Sequence, residues 1–174
     1  GALFGGIPSD YYGRKKTLLW IGILYLISAV GSALAPDIYT LMLFRFIGGL
    51  GVGASSVAAP VYIAEISPAH TRGRLTAVFQ FNLVLGILIA YFSNYMIGTG
   101  ADTWRTMLGV EAVPALLFII GMFIVPESPR WLVVTKEDEG AALTVLNQMD
   151  PGTAQQALQE IRNTNVTSSI SFLE

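Results

Sequence analysis

The charged residues Arg45, Glu65 and Glu111 stand in, or near the ends of, stretches in which apolar residues predominate. Placing a charged side chain at the centre of a bilayer costs roughly 2.5–3.5 kcal/mol on insertion scales, so such residues usually persist because they serve a function. Residues 45–73 contain several regularly spaced glycines and Pro60, and the basic residue Arg72 stands near their end. This pattern indicates a transporter.

Arg45 and Glu111 are predicted to lie at the same depth. Arg45 lies seven residues beyond Ile38, where one apolar stretch begins, and Glu111 lies seven residues beyond Trp104, where another begins. At about 1.5 Å per residue both lie roughly 10 Å from the same face, which permits an ion pair. In one interpretation Glu111, or a carboxylate outside this chain, takes up a proton and releases Arg45. In the other, the pair is static and structural.

A second group of charges stands at the ends of the stretches that face the opposite side: Asp10, Arg14, Glu65, Arg72, Glu127 and Arg130. Opposite charges at helix ends can clamp the helices in one state and separate in another, so these residues are predicted to form a gate. Taken singly, each would more often be a solvated interfacial charge, because exposed ion pairs contribute little stability. Their repetition at three successive span ends favours the gate.

One polar stripe suits a solute path. Gln80, Ile87, Tyr91 and Asn94 fall close to one face of a helix, whereas Asn82 lies roughly 200° away from Gln80. The stripe could bind a polar solute along a water-filled path, or it could bond to neighbouring helices.

The elements that must position these residues are four long apolar stretches, over residues 17–35, 38–66, 75–97 and 105–125. A membrane helix needs about 20 apolar residues, so each stretch is predicted to span a bilayer. Residues 1–8 are also apolar and glycine-rich. We interpret them as the broken end of a further membrane helix and expect the chain to be a fragment.

Lys and Arg are unevenly distributed among the connections. Segments 10–16, 67–74 and 126–136 hold seven of them, whereas segments 36–37 and 98–104 hold none. Basic connections mark the cytoplasmic side, so this alternation predicts the orientation of the spans.

The chain becomes polar after Leu132. Apolar residues at helical spacing within residues 137–149, and again at Ala157, Leu158 and Ile161, predict two short cytoplasmic helices. We therefore expect a transmembrane bundle over residues 1–132 and cytoplasmic helices with a linker over residues 133–174.

Composition excludes several classes of function. Hydrophobic residues make up 53% of the chain and charged residues only 13%, against about 25% in soluble domains. The net charge of −2 gives no basic field for nucleic acid. The chain has no cysteine and one histidine, and Ser55 and Ser56 have no histidine or lysine base within their span. We expect no enzymatic activity, no cofactor and no metal site.

Three motifs resemble those of the sugar porters of the major facilitator superfamily. G-G-I-P-S-D-Y-Y-G-R-K-K at 5–16 is similar to the loop motif between helices two and three of that family. R-x-x-x-G-x-G-x-G-x(6)-P-x-Y-x-x-E-x(6)-R-G at 45–73 is similar to its fourth-helix signature, and P-E-S-P-R-W-L at 126–132 to the segment after its sixth helix. Together the motifs extend from residue 5 to residue 132 of the 174 residues.

The resemblance implies an all-α membrane protein with part of the N-terminal half of a twelve-helix fold. The chain would hold the end of helix two through helix six and the start of the intracellular helical domain. The implied function is transport of a pentose or hexose by alternating access, as sugar:proton symport, in a plasma membrane or bacterial inner membrane. The implied partners are the monosaccharide, a proton, the lipid bilayer and the C-terminal half. The alternatives are a uniporter, a carrier of polyols or organic acids, and a non-transporting sugar sensor on the same scaffold.

The resemblance also implies roles for single residues. In the family, charges equivalent to five residues form a cytoplasmic gate that favours the outward-facing state: Arg14, Glu65, Arg72, Glu127 and Arg130. The arginine that matches Arg45 partners a first-helix acidic residue in the proton-linked members, and Gln80 matches a sugar-contacting glutamine. Ile87 stands where some bacterial symporters carry a second glutamine, which is closer to the glucose-transporter pattern. Tyr11 replaces a residue that is basic in many members.

Overall fold

The computed structural model of the protein describes residues 1–2, 6–68, 70–98, 100 and 103–171, except for the side chains of residue 7 and residues 164–171. Across these residues the regular structure is helical and contains no strand. The helices are α1 (Gly6–Tyr12), α2 (Arg14–Ala33), α3 (Ile38–Ile66), α4 (Arg72–Ile97), α5 (Thr103–Val110), α6 (Ala112–Ile124), α7 (Pro129–Val134), α8 (Glu139–Met149) and α9 (Ala154–Ser171).

In the described part of the chain, four stretches are long and apolar enough to cross a membrane: α2, α3, α4 and the combined stretch Thr103–Ile124 of α5 and α6. They match the four predicted spans in number and order. α2 and α4 each begin three residues earlier than predicted, at Arg14 and Arg72. Arg72 is exposed, and a long basic side chain suits such a position because its stem covers apolar surface while the charged head reaches water.

The predicted connection over residues 10–16 is helical on both sides of Gly13, which separates α1 from α2. Gly13 has a φ of 100°, a left-handed conformation that favours glycine. Part of the predicted broken helix over residues 1–8 lies outside the described residues.

The fourth span is broken at Glu111, whereas the sequence predicted one uninterrupted stretch. α5 ends at Val110 and α6 begins at Ala112. The cause is local: Pro114 has no N–H to donate to the carbonyl of Val110, four residues earlier. At the break, the Glu111 amide donates to the Leu108 carbonyl, three residues earlier, at 3.3 Å. Pro60, by contrast, lies inside α3 without dividing it.

The spans pack around α2, which contacts α1, α3, α5 and α6. The half of α2 that follows Arg14 joins α3 and α6 in a core of Leu18, Ile21, Ala58, Tyr62 and Met122. α4 contacts α3 and α5 but buries none of its residues.

The turn between α2 and α3 is fixed by a cap. Asp37 Oδ1 accepts a hydrogen bond from the Thr40 amide at 2.7 Å, and Oδ2 accepts one from the Thr40 hydroxyl at 3.1 Å. The amide hydrogen bond favours the charged carboxylate and lowers the pKa of Asp37. The cap fixes where α3 begins, and hence how deep Arg45 lies.

Small residues allow α2 and α3 to approach closely. A Cβ atom added at Gly48 would lie 3.0 Å from Ser28 Cβ and still closer to the Ser28 hydroxyl. Gly48 and Ser28 are both buried. Contacts between small residues of this kind let membrane helices pack backbone to backbone.

We expect Gly48→Val to destabilise the protein by about 1–3 kcal/mol, because the new side chain overpacks the α2–α3 contact. The measurement is unfolding of the detergent-solubilised full-length protein that contains this chain, titrated with a denaturing detergent.

Gly121→Val is the matched control, since a Cβ atom at Gly121 meets nothing within 4 Å. Adding Ser28→Gly to Gly48→Val should restore at least half of the lost stability. Equal losses of stability in Gly48→Val and Gly121→Val would show that the α2–α3 contact is not the cause of the destabilisation.

Candidate functional site

Arg45 and Glu111, which the sequence placed at equal depth, contact each other. Arg45 Nη2 lies 3.0 Å from Glu111 Oε2, and Nη1 lies 3.4 Å from Oε1. The guanidinium and the carboxylate therefore form a bidentate pair, a geometry that strengthens such interactions. Their side chains are 41% and 50% exposed within this chain.

The two charges belong to elements that differ in continuity. Arg45 projects from the continuous helix α3, whereas Glu111 occupies the break between α5 and α6. The position of the carboxylate thus depends on how α5 and α6 meet. An arginine stays charged at any physiological pH, while a carboxylate can change its protonation state. The pair therefore joins a permanent cation on α3 to a carboxylate at the break between α5 and α6.

Both residues line a cavity of about 480 Å³ between α2, α3 and the broken span. Its remaining lining residues are Tyr25, Ser28, Gly48, Gly49, Val52, Pro114, Ala115 and Phe118. The Tyr25 hydroxyl lies 2.6 Å from Ser55 Oγ, so that hydroxyl is already engaged with α3.

Arg45 has a further partner that the sequence did not reveal. Its Nε donates to the hydroxyl of Ser32 on α2, at 3.3 Å. A single serine in an apolar helix carries no signal of such a role, because small polar residues are common in membrane helices.

A second group of contacts lies at the opposite ends of α2 and α3, and we call Asp10, Arg14, Glu65, Glu127 and Ser128 the inner network. Arg14 donates from Nε and Nη2 to the two carboxylate oxygens of Glu65, at 3.0 and 3.1 Å. Its Nη1 donates to Asp10 Oδ1 at 2.5 Å and to the Ser9 carbonyl at 2.7 Å. Arg14 therefore joins α1 to α3.

Glu127 caps α2 and forms no salt bridge with a basic side chain of the described residues. Its Oε1 accepts hydrogen bonds from the backbone amides of Lys15 and Ser128, at 2.9 and 3.0 Å. Lys15 lies in the first turn of α2, where unpaired amides and the helix dipole favour a negative charge. A Cβ atom at Gly13 would lie 2.6 Å from Glu127 Oε2, so glycine is needed for this approach.

Ser128 connects Glu127 to the rest of the inner network. Its hydroxyl donates to Glu65 Oε2 at 2.6 Å and accepts the Trp131 amide at 3.3 Å, as the N-cap of α7. The Trp131 indole donates to the Asp10 carbonyl at 2.9 Å, and the Tyr62 hydroxyl to the Pro126 carbonyl at 2.5 Å. The sequence analysis missed these four hydrogen bonds, as well as α7.

Three predicted site residues stand apart from these groups. Arg72 and Arg130 are exposed and form no salt bridge within the described residues. Gln80 is exposed on α4 and does not line the cavity. Their proposed roles in the gate and in sugar binding stay predictions.

Comparison with known proteins finds transporters. The family model described as "Sugar (and other) transporter" matches residues 1–171. The glucose transport protein of Synechocystis sp. is 41% identical over 94% of this chain and 37% of its own length. The major myo-inositol transporter IolT of Bacillus subtilis is 39% identical over 92% of this chain and 35% of its own. The chain thus spans little more than a third of these relatives.

A solved structure has the same arrangement of helices. The proton:xylose symporter XylE of E. coli, bound to 6-bromo-6-deoxy-D-glucose, matches with a TM-score of 0.89 and 36% identity. The match covers 96% of this chain and 40% of that chain. It confirms the predicted all-helical membrane fold, of which this chain represents a part.

We expect Glu65→Gln to destabilise the full-length protein by about 3 kcal/mol, because Arg14 would lose the charge of a buried partner. The Arg14 and Glu65 side chains are only 12% and 8% exposed. The measurement is again unfolding of the detergent-solubilised protein.

Asp10→Asn is the control, because it removes the other carboxylate on the same arginine. The Asp10 side chain is 74% exposed, so its loss should cost less than about 1 kcal/mol. Equal effects of the two substitutions would contradict the assignment of Glu65 as the principal partner.

Proposed function

Because the chain belongs to the sugar transporter family, whose members are multi-pass membrane transporters, we propose that it forms part of a carrier that moves a monosaccharide by alternating access, together with a proton. Membership of this family, and with it the integral membrane location, is as the sequence predicted. The carrier as a whole would include segments beyond this chain, since transporter sites form between two halves near the membrane midplane.

The observation that carries the proposal is the ion pair of Arg45 and Glu111. Charged residues inside membrane spans are costly, and they mark substrate or ion paths. Here the carboxylate lies beside a cavity and opposite a permanent cation. Protonation of Glu111 would remove one charge of the pair and weaken its attraction to Arg45. A proton can then favour one conformation over another, because it binds the two with different affinities.

The inner network supplies the second element that alternating access needs. Its contacts hold the inner ends of α1, α2, α3 and α7 together through charged groups. Interfaces of this kind are bistable, since the charges can be paired in one state and hydrated in the other. We propose that the inner network closes the predicted cytoplasmic side, and that Arg72 and Arg130 join the gate through segments outside this chain.

The relatives and the polar residues of α4 support a proposed substrate class. Two of the relatives are described as carriers of glucose and of xylose, which supports a hexose or pentose. The likeness to a myo-inositol transporter favours a polyol as the second candidate. Gln80 would donate and accept hydrogen bonds with the hydroxyl groups of either. A uniporter, an organic-acid carrier and a sugar sensor are the outcomes that the following experiments distinguish.

We expect Arg45→Gln to reduce proton-driven sugar accumulation at least tenfold in vesicles that contain the full-length protein. Sugar counterflow, which needs no proton gradient, should persist. The physical reason is that Glu111 without its cation can no longer bias the conformations according to its protonation. Accumulation and counterflow are measured with radiolabelled xylose, glucose and myo-inositol.

Arg162→Gln is the control, because it removes an exposed ion pair of 3.9 Å between α9 and α8 and should leave both measurements unchanged. Full accumulation by Arg45→Gln would exclude the coupling role. Counterflow without accumulation in the unaltered protein would indicate a uniporter. Sugar binding without accumulation or counterflow would indicate a sensor. If none of the three compounds binds, the result would indicate an organic-acid carrier.

We expect Gln80→Ala to weaken sugar binding about tenfold, the equivalent of roughly 1.4 kcal/mol for lost hydrogen bonds. Binding is measured by isothermal titration with the full-length protein. Asn82→Ala, on the far side of the same helix, should bind as the unaltered protein does. Equal affinities of the two variants would remove Gln80 from the site.

A further inference from the structure

We propose that Ser32 is a positioning residue that keeps Arg45 directed at Glu111 whether or not the carboxylate is protonated. This inference rests on the proposed function, because it concerns the pair to which proton coupling is assigned. Neither the motifs of the sequence nor the inner network involves Ser32.

The donors of Arg45 are divided between two helices. Its Nη1 and Nη2 donate to Glu111, while Nε donates to Ser32 Oγ on the opposite side of the guanidinium. A guanidinium is planar and presents its donors in fixed directions. When Nε is held by α2, the two outer nitrogens can point only within a narrow range. Glu111 lies within that range.

Ser32 is itself firmly placed. Its side chain has no exposed surface, and it lies one helical turn beyond Ser28, whose close contact with Gly48 fixes the distance between α2 and α3. Its carbonyl accepts the Ala35 amide at 3.5 Å, in the last turn of α2. Carbonyl groups at a helix C-terminus carry a partial negative charge, which stabilises a nearby cation. α2 thus offers Arg45 both a hydroxyl and a favourable field.

This arrangement determines which partner moves. The titratable groups that line the cavity are Tyr25, Arg45 and Glu111. If Glu111 becomes neutral, Arg45 keeps its contacts with α2, whereas Glu111 loses the charge that held it. The released element is therefore the break between α5 and α6. This differs from the sequence-based interpretation, in which protonation releases Arg45.

The test is a double-mutant cycle of Arg45→Gln and Glu111→Gln, measured as the melting temperature of the detergent-solubilised full-length protein. The two substitutions should be non-additive when Ser32 is present, because each removes the same ion pair. In Ser32→Ala and Ser32→Cys backgrounds the non-additivity should fall to less than half. A cysteine keeps the shape of serine but accepts hydrogen bonds poorly.

Thr17→Val is the control background. This substitution removes another buried hydroxyl group from α2, and the Thr17 hydroxyl has no hydrogen-bond partner among the described residues. The non-additivity of the Arg45 and Glu111 substitutions should therefore stay intact. Undiminished non-additivity with Ser32→Ala overturns the proposal. So does a loss with Ser32→Ala that Ser32→Cys does not share, because shape and not hydrogen bonding would then be responsible.

The same variants are also tested in transport assays with the full-length protein. Ser32→Ala and Ser32→Cys should lower proton-driven sugar accumulation at least fivefold and leave counterflow within twofold of the unaltered protein. Unchanged accumulation in a protein that does accumulate sugar also overturns the proposal. If the unaltered protein moves no proton, proton coupling fails, while the melting-temperature cycle still decides the role of Ser32.

Discussion

A charge inside the hydrocarbon of a membrane must have a partner, and this requirement organises the structure. Arg45 lies within a span and reaches two partners on two other elements, Glu111 and Ser32. To bring them together, α2 must pack tightly on α3, and the broken span must turn its carboxylate toward both. The closeness of α2 and α3 is therefore a condition for tolerating the charge as well as a source of stability.

α2 carries the contacts of both charged sites. Near its first turn the backbone amide of Lys15 is capped by Glu127 and the Arg14 side chain binds Glu65. In its last turn Ser32 holds Arg45. A helix of 20 residues is about 30 Å long, so a single rigid rod joins the two sites. Movement of α2 relative to α3 would disturb both sites at once.

The contacts of α4 differ from those of the other spans. It is apolar enough to cross a membrane and yet buries none of its residues. Its polar side chains Gln80 and Asn94 are exposed along with its apolar ones. Polar groups in hydrocarbon are costly unless they are bonded to other protein groups or to water. This is the reason for assigning α4, and not the cavity at Arg45, to the sugar path.

The sequence by itself determined the spans, their order and the equal depth of Arg45 and Glu111. These depend on composition and on the fixed rise of a helix, which can be counted along the chain. Likewise, the motifs were sufficient to identify the family.

Only the tertiary structure decided which groups meet. It showed that Glu111 occupies a helix break, that Glu127 caps α2, and that Ser32 and Ser128 complete the two sites. It also showed that Arg72 and Arg130 form no salt bridge within the described residues, although the sequence analysis assigned them to the same gate as Arg14. The physical reason is that these contacts join residues as far apart as Lys15 and Glu127, 112 positions along the chain. Helical periodicity places a residue on a face and at a depth, but the rotation and packing of the helices determine its partner.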